Sequence, residues 1–137
     1  MTRLVIDTGP LVAFLNRRDR HHPWAREVLA GVDPPLYSCE AVISEACFLV
    51  RALDRGPDAV LALVERGLVD TSFSVAAEVG PLRTLMAKYA SVPMSLADAC
   101  VVRMTELEHA STVLTMDSDF NVYRRNRRQM IPVLMPG

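Results

Sequence analysis

The sequence predicts an α/β sandwich built around a mostly parallel sheet. Three observations point there. "RLVID" near the start and "STVLTM" near the end are short, uninterrupted apolar runs with β-branched residues, the pattern of strands buried on both faces. Helix-length segments separate the strand candidates from end to end, the alternation of an α/β fold. The chain has 137 residues, half of them hydrophobic, which suits one domain, 1–137, with a real core.

Taken in order, "RLVID" is the first strand. Pro10 sits in the first turn of a short helix, "PLVAFLN", where proline is tolerated. "HHPWAREVLAG" reads as a second helix ending at Gly31, and Pro34 and Pro35 punctuate before a short strand, "LYS". Ser38 is placed to cap a long helix, "CEAVISEACFLVRALD", which Gly56 and Pro57 stop. "DAVLALVERG" makes another helix to Gly67, and "VDTSFSV" alternates as a strand nearer a sheet edge does. "AAEVGPLRTLMAKYA" is a helix bent or restarted at Gly80 and Pro81. "SLADACVVRMTELEH" follows with Ser95 as its cap, then "STVLTM", and "IPVLM" is a last short strand. No repeat, low-complexity tract or linker interrupts the pattern, and "YRRNRRQ" is the one charge run.

A formal net charge of −1 gives no sign of nucleic-acid or membrane binding. Lys88 is the one lysine among fifteen Lys and Arg. Arginine's planar fork suits phosphate, although a composition bias of the source explains the excess equally well. Cys39, Cys47 and Cys100 lie far apart in apolar stretches, so buried free thiols in a reducing cytoplasm are expected. "MTRLVIDTGP" has too brief an apolar run for a signal peptide, and nothing approaches the ~18 apolar residues of a membrane span.

Four carboxylates stand where water is not expected. Asp7 follows directly on "LVI" and Asp117 on "STVLTM", and in parallel sheets ligands gather beyond the carboxyl ends of strands. Each could equally cap a helix or shape a turn. Glu45 has Ala41, Val42, Phe48, Leu49 and Ala52 as its helical neighbours, so its charge is exposed at the rim of an apolar stripe, paired, or functional. Asp98 neighbours Met94, Val101 and Val102, and it also completes a capping-box spacing with Ser95. Asp119, two residues after Asp117, could share or support the same place. Two acids at strand ends and two on apolar helix faces can converge at one sheet edge. Such a cluster is tolerable around a divalent cation, and oxygen donors without His or Cys suit Mg²⁺ or Mn²⁺. That chemistry fits phosphodiester hydrolysis and needs no histidine base. His21, His22 and His109 have no partners for a nucleophilic triad, and no P-loop or dinucleotide-binding glycine motif occurs.

These residues resemble a family. "VIDTGPLVAFL", "SEACFLV", "SLADACVV" and "LTMDSDF" are similar to the four acidic blocks of PIN domains, most of all to the small single-domain proteins of VapC type, the toxin half of bacterial toxin–antitoxin pairs. The likeness covers almost the whole chain, in the right order and at similar distances. It implies a three-layer α/β/α fold and a Mg²⁺- or Mn²⁺-dependent endoribonuclease that leaves 5′-phosphate and 3′-hydroxyl ends on RNA. It implies catalytic, metal-binding roles for Asp7, Glu45, Asp98 and Asp117, an auxiliary role for Asp119, and a hydroxyl near the site from Thr115. It also implies an antitoxin partner and a homodimer.

An RNA backbone needs cations outside an acidic pocket. Arg17, Arg18 and Arg20 form one cluster, and Arg124, Arg125, Arg127 and Arg128 form another. Both follow elements that carry acids, so they could flank the cleft, with Arg17, Arg124 and Arg125 as substrate contacts. They could equally be a solvated surface. Trp24 and Tyr123 could stack on bases, though a lone Trp commonly anchors a core. The competing reading is a non-catalytic PIN-fold module that binds RNA or protein. Two other phosphoryl-handling classes fit less well: "DTG" stands where a haloacid-dehalogenase type wants DxD, and Lys88 is poorly placed for a receiver domain.

Overall fold

In the computed structural model, which describes residues 2–137, a first strand β1 (Arg3–Ile6) leads into α1 (Thr8–Leu15) and α2 (His22–Ala30). Then come β2 (Leu36–Tyr37), α3 (Glu40–Leu49), α4 (Gly56–Glu65) and β3 (Val69–Asp70). α5 (Val79–Lys88), α6 (Leu96–Leu107) and β4 (Ser111–Leu114) follow. A 3-10 turn (Ser118–Asn121), a hairpin of β5 (Arg124–Arg125) and β6 (Gln129–Met130), and β7 (Val133–Leu134) come last. No helix among the described residues is long and apolar enough to cross a membrane.

Five strands pair in parallel in the order β3-β2-β1-β4-β7, with helices on both faces in an α/β/α arrangement. The central pair runs in register from Arg3 opposite Ser111 to Ile6 opposite Leu114. Val5, Ile6, Val113 and Leu114 are buried there, as strands covered on both faces require. α1 packs on α2, α3 and α4, and α5 packs on α6. From β1 the chain moves outward to β2 and β3, then crosses back to lay β4 on the other side of β1. The chain therefore leaves β1 and β4 toward opposite edges of the sheet. Their carboxyl ends bracket the crevice where ligands collect in such folds.

Several local expectations need correction. The helix after β2 is shorter than its apolar stretch, ending at Leu49, and Ser38 does not cap it. The Ser38 hydroxyl donates instead to the Ile6 carbonyl at 2.9 Å, tying the β2 end to β1. Gly56 and Pro57 do not stop that helix but open α4, where proline suits the first turn. Gly56 is required there because a Cβ would fall 2.0 Å from the Val50 carbonyl oxygen. Only Val69 and Asp70 of "VDTSFSV" pair, at the sheet edge. The Asp70 carboxylate accepts from the Ser72 N–H and hydroxyl at 2.9 and 2.6 Å and turns the chain away. The charge run folds into the β5–β6 hairpin, with Asn126 and Arg127 in the left-handed region at φ 49° and 74°.

Candidate functional site

Asp7 follows the last residue of β1, and its N–H donates to Leu114 O of β4 at 2.9 Å. The strand pairing thus sets Asp7 beside the start of the segment that carries Asp117. Thr115 links the two: its buried hydroxyl donates to Asp7 Oδ2 at 2.8 Å and accepts from the Asp117 N–H at 3.0 Å. Asp117 Oδ1 in turn accepts from the Asp119 N–H at 2.9 Å, which shapes the 3-10 turn. Asp117 therefore plays its turn role and still borders the crevice.

Asp98 enters from the first turn of α6. The capping box is formed: Asp98 N–H donates to Ser95 Oγ at 3.0 Å, and Ser95 N–H to Asp98 Oδ2 at 3.4 Å. The Tyr123 hydroxyl donates to the same Oδ2 at 2.9 Å. Both of these bonds fall on one oxygen, so the other is left without a protein donor among the described residues. The Tyr123 ring is fully buried, edge-on to Tyr89 and Phe120 with centroids at 5.1 and 5.2 Å. It does not stack on a base; it holds Asp98. Glu45 comes from α3 and is exposed at the mouth, since Phe48 and Leu49 beside it face solvent rather than the core.

Asp7, Glu45, Asp98 and Asp117 line one open cavity of about 440 Å³, together with Thr8 and Met116. Asp119 does not line it; its N–H supports Asp117. Among the described residues the only ion pairs are those of Arg103 with Glu78 and Glu106, so none of the four acids has a cationic partner. The electrostatic consequence is direct. Burial pushes the Asp7 carboxyl up to about 6, aided by the charges of Asp98 and Asp117 and opposed by the Thr115 hydroxyl and the Thr8 N–H. Burial also raises Asp98, with Asp117 adding to it and the Tyr123 hydroxyl and Ser95 opposing. Glu45 is raised by partial burial and by Asp98. The Thr8 hydroxyl is buried without a hydrogen-bond partner, although it lies near enough to Glu45 to favour the charged carboxylate.

The donor set fits a hard divalent cation. It is all oxygen, it includes an orphaned hydroxyl, and its charge is unneutralised. Among the described residues no three His, Cys, Asp or Glu side chains close into a cage around an ion. The acids ring a space that holds several waters at roughly 30 Å³ each, and Mg²⁺ bound by few carboxylates keeps its waters.

No arginine of either cluster lines this cavity. Arg17 lies beyond the far end of α1, about 12 Å of helix from the end where Asp7 stands. Arg124 donates from Nη1 to the carbonyls of Asn121, Val122 and Tyr123. Arg125 is buried, with Nη1 on His109 O at 2.9 Å and Thr105 O at 3.4 Å, at the opposite end of α6 from Asp98. Cys39 and Cys100 are buried free thiols as expected, while Cys47 is only half-buried.

The sequence profile of the PIN domain matches residues 4–126. Ribonuclease VapC26 of Mycobacterium tuberculosis (strain ATCC 25618 / H37Rv) is 27% identical over 117 residues, covering 83% of this chain and 86% of that protein. In fold the chain is similar to the crystal structure of Mycobacterium tuberculosis VapC20, described as a sarcin-ricin loop cleaving toxin. The TM-score is 0.77 at 20% identity, over 87% of this chain and 93% of that one.

Proposed function

This chain belongs to the PIN domain family, and from that premise we propose that it is a metal-dependent endoribonuclease of VapC type, folded as a single domain. It hydrolyses RNA phosphodiesters to 5′-phosphate and 3′-hydroxyl ends. It acts in the cytoplasm as the toxin of a toxin–antitoxin pair, restrained by its antitoxin and paired with a second copy of itself. A ribonuclease is also what the curated relative is called.

One observation carries the reading: four carboxylates from four separate elements share a single cavity without a cationic partner. Asp7 is buried and Asp98 and Asp117 are half-buried, and unpaired carboxylates held this close in poorly hydrated places call for a compensating ligand. Asp7, Glu45, Asp98 and Asp117 would hold Mg²⁺ or Mn²⁺, with Asp119 as an auxiliary acid. An ion held there would supply activation of a water and neutralisation of charge on the leaving 3′ oxygen. The protein's own contribution is orientation. Thr115 fixes the Asp7 carboxylate, Tyr123 and Ser95 fix Asp98, and the Asp119 N–H fixes Asp117. The carboxyls of Asp7, Asp98 and Glu45 are raised first by burial and then by the charge of neighbouring carboxylates, and a bound cation would offset both.

The test is cleavage of total RNA and of synthetic single strands by purified protein with Mn²⁺ or Mg²⁺, with the new 5′ ends mapped. Cleavage is expected to stop in EDTA and to fall to background in Asp7→Asn and Asp98→Asn. Cutting that persists in chelator contradicts the reading. RNA retained uncut by the wild type points instead to a non-catalytic RNA-binding module.

A further inference from the structure

The carboxylates around the cavity repel the backbone that the proposed reaction must bring to them. No arginine lines the cavity; Arg17 lies past the far end of α1 and Arg125 is bound to the end of α6. Another cation stands two residues after Leu49, which lines the cavity. Glu45 and Leu49, one turn apart on α3, both line the cavity. Phe48 sits between them in sequence, three residues after Glu45 and so on a neighbouring face. It is 61% exposed, whereas every other Phe, Tyr and Trp among the described residues is buried or half-buried. Arg51, just beyond the helix, lays its guanidinium carbon 3.8 Å from the centre of the Phe48 ring and donates from Nη1 to Phe48 O at 2.7 Å. Arg51 is exposed and has no carboxylate partner among the described residues. From Glu45 to Arg51 is about 9 Å along the helix direction.

We infer that Phe48 and Arg51 form a stacking subsite for an unpaired base of single-stranded RNA, with Arg51 also meeting a phosphate next to the one that enters the acidic cavity. The inference rests on the nuclease reading above. Unpaired bases offer their faces to aromatic rings and guanidinium planes, whereas paired bases keep theirs inside the duplex. The charge on the ring favours RNA over an apolar protein face, because packing such a face here would bury the Arg51 cation without a counter-ion.

The test uses the Asp7→Asn protein, so that RNA is not cut, and measures binding of fluorescent oligoadenylate and of a blunt RNA duplex. Phe48→Ser is expected to weaken single-strand binding about ten-fold, Arg51→Gln to weaken it and flatten its salt dependence, and Phe48→Trp to preserve it. Duplex binding is expected to be unchanged by Phe48→Ser. A 2-aminopurine base in the strand is expected to lose fluorescence on Phe48 and not on Ser. Equal single-strand affinity for Phe48→Ser and its parent overturns the subsite. So does a dimer that Phe48→Ser converts to monomer, which would put the ring under a second copy. If RNA binds through Phe48 but the wild type never cuts it, the nuclease reading fails while the subsite stands. If RNA is cut and Phe48→Ser leaves KM unchanged, the subsite alone fails.

Discussion

At its first turn α6 carries Asp98, half-buried, held by the Ser95 N–H and the Tyr123 hydroxyl on one oxygen and facing no cation. At its last turn it receives Arg125, buried against the Thr105 and His109 carbonyls, where a cation meets the negative end of the helix dipole. Both anchors come from one short stretch, since Tyr123 and Arg125 are two residues apart. One end is a charge left in need of a partner. The other is a charge already met by two carbonyls at Nη1, although its Nε is buried without a partner among the described residues. That difference separates a candidate site from a structural clasp, although both are charged groups in poorly hydrated places. The same stretch shows why a basic run need not be a nucleic-acid patch. Tyr123, Arg124 and Arg125 all spend hydrogen bonds on the protein itself.

The sharpest way to break the comparison is to remove the charge at each end. Asp98→Asn should abolish RNA cleavage while leaving the fold intact. Arg125→Met should leave cleavage per folded molecule unchanged and lower stability by roughly 2 kcal/mol, since two carbonyls lose their donor. Urea unfolding and single-turnover assays on the two variants separate these outcomes. A loss of cleavage in Arg125→Met without unfolding would erase the distinction.

Asp7 gives the next effect. Its folded carboxyl titrates near 6 against a reference of 3.8, so the folded state binds its proton more tightly than the unfolded state. The contribution of Asp7 to stability is therefore fully present below the unfolded value and is lost as pH rises through about 6. In metal-free protein at pH 8, Asp7→Asn should be more stable than wild type, by an amount on the order of 3 kcal/mol at most. The difference should vanish near pH 4. Thermal melts across that range in EDTA check it, and a variant less stable than wild type at pH 8 would show that Asp7 is not strained. The smallest effect belongs to Tyr123→Phe, which keeps the buried ring and removes the hydroxyl from Asp98. Cleavage should fall about ten-fold, the low end for loss of a ligand's supporting hydrogen bond, with little change in melting. An unchanged rate would reduce Tyr123 to packing.

Much of the scaffold can be read from the chain because it is local. Apolar runs define β1 and β4, the acids that follow them fall at the carboxyl edge of a parallel sheet, and Ser95 with Asp98 spells out its own cap. What cannot be read depends on partners distant in sequence. The Tyr123 hydroxyl meets Asp98 across 25 residues, and Arg125 finds the end of α6 only once the hairpin has formed. Arg17 fails as a flank for a geometric reason: following Asp7 in sequence means lying a whole helix away from it. Ser38 looks like a cap because its neighbours are helical, yet a bare carbonyl on β1 is the better acceptor for its hydroxyl. Thr8 passes unnoticed beside Asp7, since nothing in "DTG" says that its hydroxyl will be buried without a partner.

The central claim is that the four acids form one cation site, and calorimetric titration of metal-free protein with Mn²⁺ tests it most directly. Wild type and Arg125→Met should bind with matching heats, and Asp7→Asn combined with Asp98→Asn should show none. A wild-type protein that gives no binding heat, or a double variant that binds as wild type does, would contradict it.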